Sequence, residues 1–401
     1  MRMRAVLAAA AISASAGAEE ALPSAAFRDA IARTEAKLLA SAPAQSPEGR
    51  RAASAYLAGL IEQAWSLAGE DALRFEPVFY GSGSLGGRPG LFNPDNIYLT
   101  TLLDPAGSYR ITGRRGSHAQ LILQLLDDPS VLALGQSRGV IDVQQLGVAA
   151  GEEIELWLGG EQRAGHWFAL APDASSMLVR MTFADWAAES PSTLRIERLD
   201  EPAPAAEDPA QGRLARAARF LDGAAALWLD AFLQRMESSV PVNGVTELRA
   251  TRDGLTGQYS VNGRFDLAED EALVIEVARS SATYQAIQLG DAWFVTPDWT
   301  RHQVSLNHAQ ARADADGRFR FVISRRDPGV PNWLDTAGTA RGYLFMRWQG
   351  VPAPLGPEYA PSARLVKLAE LRGVLPQDTP VVDAEERAEQ LAARRHAPSR
   401  K

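Results

Sequence analysis

The chain has no cysteine in its 401 residues. Disulfides, thiolate nucleophiles and cysteine-ligated metals are therefore excluded. Histidine is scarce too: His118, His166, His302, His308 and His396 are the five. None stands in the His-x-x-x-His spacing that holds zinc on a helix. Beyond the N-terminal leader, no apolar run reaches the roughly 18 residues of a membrane-spanning helix. A basic excess is also missing, since 41 Lys and Arg face 49 Asp and Glu for a formal net charge of −8. That balance argues against nucleic acid as a partner, although Arg concentrates between 312 and 347.

What is present is ordinary for a soluble globular protein: 46% hydrophobic and 22% charged residues. The length exceeds one ordinary core, so two domains with helical accessories are expected. The first residues, MRMRAVLAAAAISASAGAEE, carry Arg2 and Arg4 before a short apolar core and then small residues. Residues 1–18 read as a secretory signal. That places the protein in the periplasm or outside the cell, with a cytoplasmic chain bearing an Ala-rich leader as the alternative.

Residues 19–75 read as helical. Phe27, Ile31 and Leu38 lie near helical spacing. A second helix opens at Ser46-Pro47-Glu48, where Ser46 can cap and Pro47 fits the first turn. Leu57, Leu60, Ile61, Ala64 and Trp65 give that helix one apolar face. From 76 to 200 the pattern changes to short alternating runs broken by Gly, Pro, Asn and Asp, such as NIYLTTLL, SYRITG, HAQLILQLL, EEIELWLGG and MLVRMTF. These read as strands of a sandwich or barrel. Residues 201–245 read as a linker and a helix, with Leu214, Leu221, Trp228 and Met236 on one stripe. Strands return over 246–350, and 351–401 reads as a tail ending in a helix. The fold class expected is mainly β with helical accessories: two β-sandwich units, N-terminal helices and a linker helix. The two β units match in length and character, yet no clear repeat links their sequences.

Few motifs survive their context. GSGSLG at 81–86 fits Gly-x-Gly-x-x-Gly, but GRPGLFNPDN follows and no helix can open there to meet a pyrophosphate. It reads as a loop. DADG at 314–317 lacks calcium-loop ligands and reads as a hairpin turn between SLNHAQ and RFRFVISR. A triad of Ser305, His308 and Asp335 can be drawn, but no nucleophile elbow supports it. In PDNIYLTTLLDPAGSYRITGRRG, 94–116, Asp95, Asn96 and Tyr98 fall just before or within a strand, Asp104 to Gly107 make a turn and Arg110 follows; hairpin chemistry with surface charge is the reading, ahead of a site. FADWAAES sets Trp186 between Asp185 and Glu189, a platform-like composition for a sugar or cation.

The densest stretch is SRRDPGVPNWLDTAGTARGYLFMRWQG, Ser324 to Gly350. Alternation puts Phe319, Phe321 and Ile323 on one face of the strand before it. It puts Tyr343, Phe345 and Arg347 opposite Leu344, Met346 and Trp348 on the strand within it. Both faces of that second strand carry bulky residues, so Arg347 must be paired or line a cavity. Glu276 is a candidate partner. The long connection presents Asn332, Trp333 and Asp335 at a strand end, where Trp333 either plugs the sandwich or stacks on a ligand.

With NGRFDLAEDEALVIEV, YQAIQLGDAW, SLNHAQ, DGRFRFVISRRDPGVPNWLDTAG and RW in order, residues 250–350 resemble the bacterial domain of unknown function 1214. That domain is often paired with the domain of unknown function 1254. The resemblance implies a jelly-roll-like β-sandwich and supplies no reaction or catalytic residue. The functional expectation is an envelope protein that binds a small molecule or glycan in a cleft between the β units. Its candidate contacts are Asn332, Trp333, Asp335, Arg347, Tyr284, Asn307, Asp185 and Trp186. No cofactor and no metal are expected. The alternatives are a cofactor-independent hydrolase or lyase using Asp185, Glu189, Glu276 or Asp335, and a structural or partner-binding protein without a catalytic site.

Overall fold

A computed structural model describes residues 24–68, 80–81, 90–127, 136–201, 209–251 and 257–396. The leader at 1–18, most of the Gly-rich loop at 81–86 and most of the acidic linker lie outside the described residues. Helices α1 (Ser24–Ala40) and α2 (Pro47–Ala68) come first. The Ser46 hydroxyl accepts the Gly49 N–H at 3.0 Å, so it caps α2 as its sequence suggests.

The first β unit follows. It comprises β1 (Tyr80–Gly81), β2 (Asn96–Leu102), β3 (Tyr109–Arg114), β4 (Gln120–Leu126) and β5 (Ser137–Asp142). It continues with β6 (Glu153–Leu158), β7 (His166–Phe168), β8 (Ser176–Thr182) and β9 (Thr193–Arg198). One sheet has the order β1-β2-β8-β4-β5 and the other β7-β6-β3-β9. Their inner faces meet in one core: Leu121, Leu123, Val179 and Met181 from the first, Ile111, Ile154, Leu156 and Ile196 from the second. This is the alternation that a sandwich demands.

Helix α3 (Pro209–Ala225) runs through a π-helical stretch, Ala226–Leu233, into α4 (Gln234–Ser239). The second β unit comprises β10 (Gly244–Val245), β11 (Arg249–Ala250), β12 (Tyr259–Asp266), β13 (Glu271–Ala278) and β14 (Tyr284–Gly290). It goes on with β15 (Ser305–Asn307), β16 (Arg318–Ser324), β17 (Trp333–Asp335), β18 (Arg341–Gln349) and β19 (Ser362–Lys367). Its sheets run β10-β12-β18-β14-β15, with β11 also on β12, and β17-β16-β13-β19. Leu273, Ile275, Phe319 and Phe321 meet Ile287, Leu344, Met346 and Trp348 between them. The unit extends past 350, because β19 pairs with β13 along its length. Helices α5 (Leu371–Val374) and α6 (Ala384–His396) close the chain. Leu371 and Leu375 cover the outer face of β13, β16 and β17, so the tail is part of the fold.

The strand orders β2-β8-β4-β5 and β12-β18-β14-β15 are the same order ten strands apart. So are β7-β6-β3-β9 and β17-β16-β13-β19. A parallel strand pair also recurs, β6 with β7 and β16 with β17. The chain therefore carries one sandwich topology twice. Pairing registers align the two copies: Ile122 faces Arg180 as Ala286 faces Arg347. Residues 110–125 then match 274–289 without a gap, sharing Ile111/Ile275, Arg115/Arg279, Gln124/Gln288 and Leu125/Leu289. A sandwich core accepts many apolar residues at each position, which is why the repeat is faint in sequence.

Two expected hairpins are corrected. The turn at Asp104 to Gly107 joins β2 to β3, and that at Asp314 to Gly317 joins β15 to β16. Each pair sits in opposite sheets. Both turns are crossovers between layers.

Candidate functional site

The outer face of the β2-β8-β4 sheet and that of the β18-β14-β15 sheet turn toward one another, joined by hydrogen bonds between the units. Their centre is Asp95, just before β2 and 2% exposed. Its Oδ2 accepts the Tyr284 hydroxyl at 2.7 Å and the Asn307 amide at 3.0 Å. Its Oδ1 accepts the Trp186 indole N–H at 3.1 Å. Asn93 donates to the Tyr284 oxygen at 3.0 Å. Tyr284 and Asn307 are fully buried. Burial, and then the Asp95 carboxylate, hold the Tyr284 hydroxyl well above its ordinary range, so it stays a neutral donor.

Beside this node lie two arginines. Alternation on β8 sends Val179 and Met181 into the first core and Arg180 out of it. On β18, Met346 and Trp348 enter the second core and Arg347 leaves it. Each arginine is held by the glutamine two positions along the neighbouring strand. Arg180 Nη1 donates to Gln124 Oε1 at 2.5 Å, and Arg347 Nη2 donates to Gln288 Oε1. The two Arg–Gln pairs are equivalent positions of the repeated topology, brought face to face. Neither guanidinium has a carboxylate within ion-pairing distance among the described residues. Burial, reinforced by the Arg347 charge, lowers the Arg180 pKa, while the Tyr98 oxygen opposes this. Arg180 is enclosed by protein yet keeps accessible surface, as do Arg347, Tyr98 and Phe345. Leu178, next to Arg180 on the same face, packs with Leu102, Leu126 and α2's Leu67, so this part of the sheet face is apolar.

Further along the gap, Gln120, Ile122, Val140, Asp142, Gln145, Gln258, Gln349 and Gly350 surround a cavity of about 70 Å³. Gln349 Oε1 is buried there without a donor. The opposite end of the gap is closed by α6. Arg394 donates to Ser305 Oγ at 2.8 Å and to the Trp299 carbonyl at 3.2 Å. Burial pushes it down to about 10, with Asp95 acting against the shift.

Of the residues expected from sequence, Tyr284, Asn307, Trp186 and Arg347 gather here. Trp186 is no open platform, because it is buried against Phe183 with ring centroids 4.0 Å apart. Asn332, Trp333, Asp335 and Asp185 lie elsewhere. Asn332 exchanges two hydrogen bonds with the Arg312 backbone. Trp333 is a plug: it is buried, donates to the Ser324 carbonyl at 3.3 Å and sits under Arg387. Trp167, its counterpart in the first unit, donates likewise to the Gly159 carbonyl at 3.0 Å. The cavity beside Pro331 and Asn332 is only about 10 Å³, far below ligand size. Asp185 accepts the N–H groups of Ala187 and Ala188 in an exposed turn.

The imagined triad does not assemble. Asp335 pairs with His302 at 2.7 Å, Ser305 accepts from Arg394, and His308 Nδ1 accepts the Gln285 N–H. Glu276 binds Arg318 at 2.6 Å and Arg320 at 2.9 Å, leaving Arg347 without it. Glu189 is raised by burial and accepts the Ala184 N–H. Asp185 and Glu189 share one turn, while Glu276 and Asp335 are each paired elsewhere.

Sequence reasoning set Asp95 aside as hairpin chemistry and missed Arg180 and Arg394. The signal for Arg180 was legible: an Arg flanked by apolar residues in MLVRMTF, as Arg347 is in LFMRWQ.

No family model matches the chain, and no curated protein matches it. A crystal structure of an uncharacterised protein from Burkholderia cenocepacia is 31% identical, with TM-score 0.74 over 86% of this chain and 97% of that one. The chain belongs to the same family as that protein. The VPA0106 protein from Vibrio parahaemolyticus is 12% identical, with TM-score 0.42 over 78% of this chain and 98% of its own.

Among the described residues no helix is long and apolar enough to cross a membrane.

Proposed function

We propose that this protein binds a small molecule in the gap between its two β units. The observation that carries this reading is the polar character of the two facing sheet surfaces. An interface serving only to hold two sandwiches together gains most from apolar residues, since buried unpaired charge is costly. Here the facing surfaces instead carry Arg180, Arg347, Gln124 and Gln288, beside a node at Asp95 that joins the two units. A mostly closed cavity with a few placed polar groups and an apolar side is the usual form of a small-molecule site.

The reading includes an envelope location, on the strength of the leader sequence, and kinship of the second unit with the domain of unknown function 1214, on the residues quoted above. The test is mass spectrometry of small molecules released when the natively purified protein is denatured. One compound at near-stoichiometric yield supports the reading. Its absence from the wild type, together with no binding in a broad thermal-shift screen, sinks it.

A further inference from the structure

We infer that the occupant of this gap carries an oxyanion, a carboxylate or a phosphate, held between Arg180 and Arg347. This rests on the small-molecule reading above and specifies its chemistry.

The inference starts from the repeat. Each sandwich places an Arg on its central strand and a Gln on the neighbouring strand, at matching registers. The two copies face one another across the gap. Two guanidinium groups then face the same gap, each hydrogen-bonded to a neutral amide oxygen. Among the described residues the same gap contains a third cation, Arg394, and two carboxylates, Asp95 and, further along, Asp142. The Asp95 oxygens are already used by Tyr284, Asn307 and Trp186. Charge among these groups is therefore unbalanced toward positive by one.

Two like charges facing one gap repel, and each guanidinium N–H cut off from water is costly. An oxyanion between the two arginines relieves both costs. Arginine suits this role, because its planar fork matches carboxylate and phosphate geometry. Gln124 and Gln288 fix each fork from the side, leaving the remaining N–H groups for the ligand. The apolar wall of Leu178, Tyr98 and Phe345 beside the pair favours an anion with an apolar body.

The test compares wild-type protein with Arg180→Gln and Arg347→Gln at constant ionic strength set by sodium chloride. The probes are inorganic phosphate, hexanoate and neutral 1-hexanol, read by unfolding midpoint and by calorimetric titration. The expected result is a saturable midpoint rise of roughly 2–5 °C with phosphate, hexanoate or both, and at least a tenfold loss of affinity in each variant. The better of the two anions distinguishes phosphate from carboxylate. Equal anion responses in wild type and variants overturn the inference, because the ion then acts elsewhere. Saturable binding of 1-hexanol that persists in both variants, without anion binding, also overturns it while leaving the small-molecule reading intact. Loss of every saturable response, with no released compound, removes both. Circular dichroism and the unfolding midpoint without probe establish that the variants are folded. If Arg347→Gln fails to fold, Arg347→Lys, which keeps the charge and loses the fork, is expected to weaken binding without abolishing it.

Discussion

Tyr284 of the second sandwich donates a 2.7 Å hydrogen bond to Asp95 of the first. Both groups are buried, and the bond spans the two halves of a repeated fold. Removing the hydroxyl leaves a buried carboxylate one donor short, which costs about 1–3 kcal/mol. Tyr284→Phe is therefore expected to lower stability by that amount in urea unfolding. Asn307→Ala is expected to cost a similar amount. The two share one acceptor oxygen, so the double variant should depart from additivity by more than about 0.5 kcal/mol.

The plug reading of Trp333 gives a second expectation. Trp333→Phe removes the bond to the Ser324 carbonyl and some buried area. Stability should fall by roughly 1–3 kcal/mol, while the yield of any released small molecule per folded protein stays at the wild-type level. A folded Trp333→Phe protein that loses the compound contradicts the plug.

Helix α6 is clamped by Arg387, which pairs with Asp327 at 2.8 Å, donates to the Val330 carbonyl and lies over Trp333. Its side chain is 6% exposed. Arg387→Ala leaves Asp327 unpaired and should cost about 2–4 kcal/mol. Limited proteolysis should then cut α6 faster than in the wild type. Unchanged cleavage means α6 is held by other contacts.

His118 supplies a pH dependence. Burial, with Arg115 nearby, pushes it down to about 3, against about 6.5 in an unfolded chain. The unfolded chain therefore takes up the proton first. The stability associated with neutral His118 is complete above pH ~6.5 and is lost as pH falls toward 3. Asp291, raised by burial to about 6 from 3.8, acts in the opposite sense between those values. Comparing the wild type with His118→Asn separates the two. The variant should be less stable at pH 7 and should lose less stability between pH 6.5 and 4. Parallel curves count against a neutral, buried His118.

Strand positions were legible because alternation is a local property. EIELWL and RFRFVIS each put every second residue into a core. Pairing was not legible, because a sandwich joins successive strands across layers as readily as within them. That is why the turns at Asp104 and Asp314 looked like hairpins. The repeat was hidden for a related reason: sandwich cores constrain size and polarity more than identity. For the site, Arg347 stood out through the bulky residues on both faces of its strand. Asp95 was visible only as a polar residue before a strand, because its role depends on Tyr284, Asn307 and Trp186 arriving from three distant elements. The DPGVPNWLDTAG connection drew attention by its composition, yet its Trp and Asn are used up within the fold.

The most direct measurement is a high-resolution crystal structure of protein purified without added ligand and without phosphate or carboxylate buffers. Continuous non-water density bridging the Arg180 and Arg347 guanidinium groups is the expected result. Well-ordered water alone between them, or an arginine pair closed onto a protein carboxylate, contradicts a ligand site in the gap.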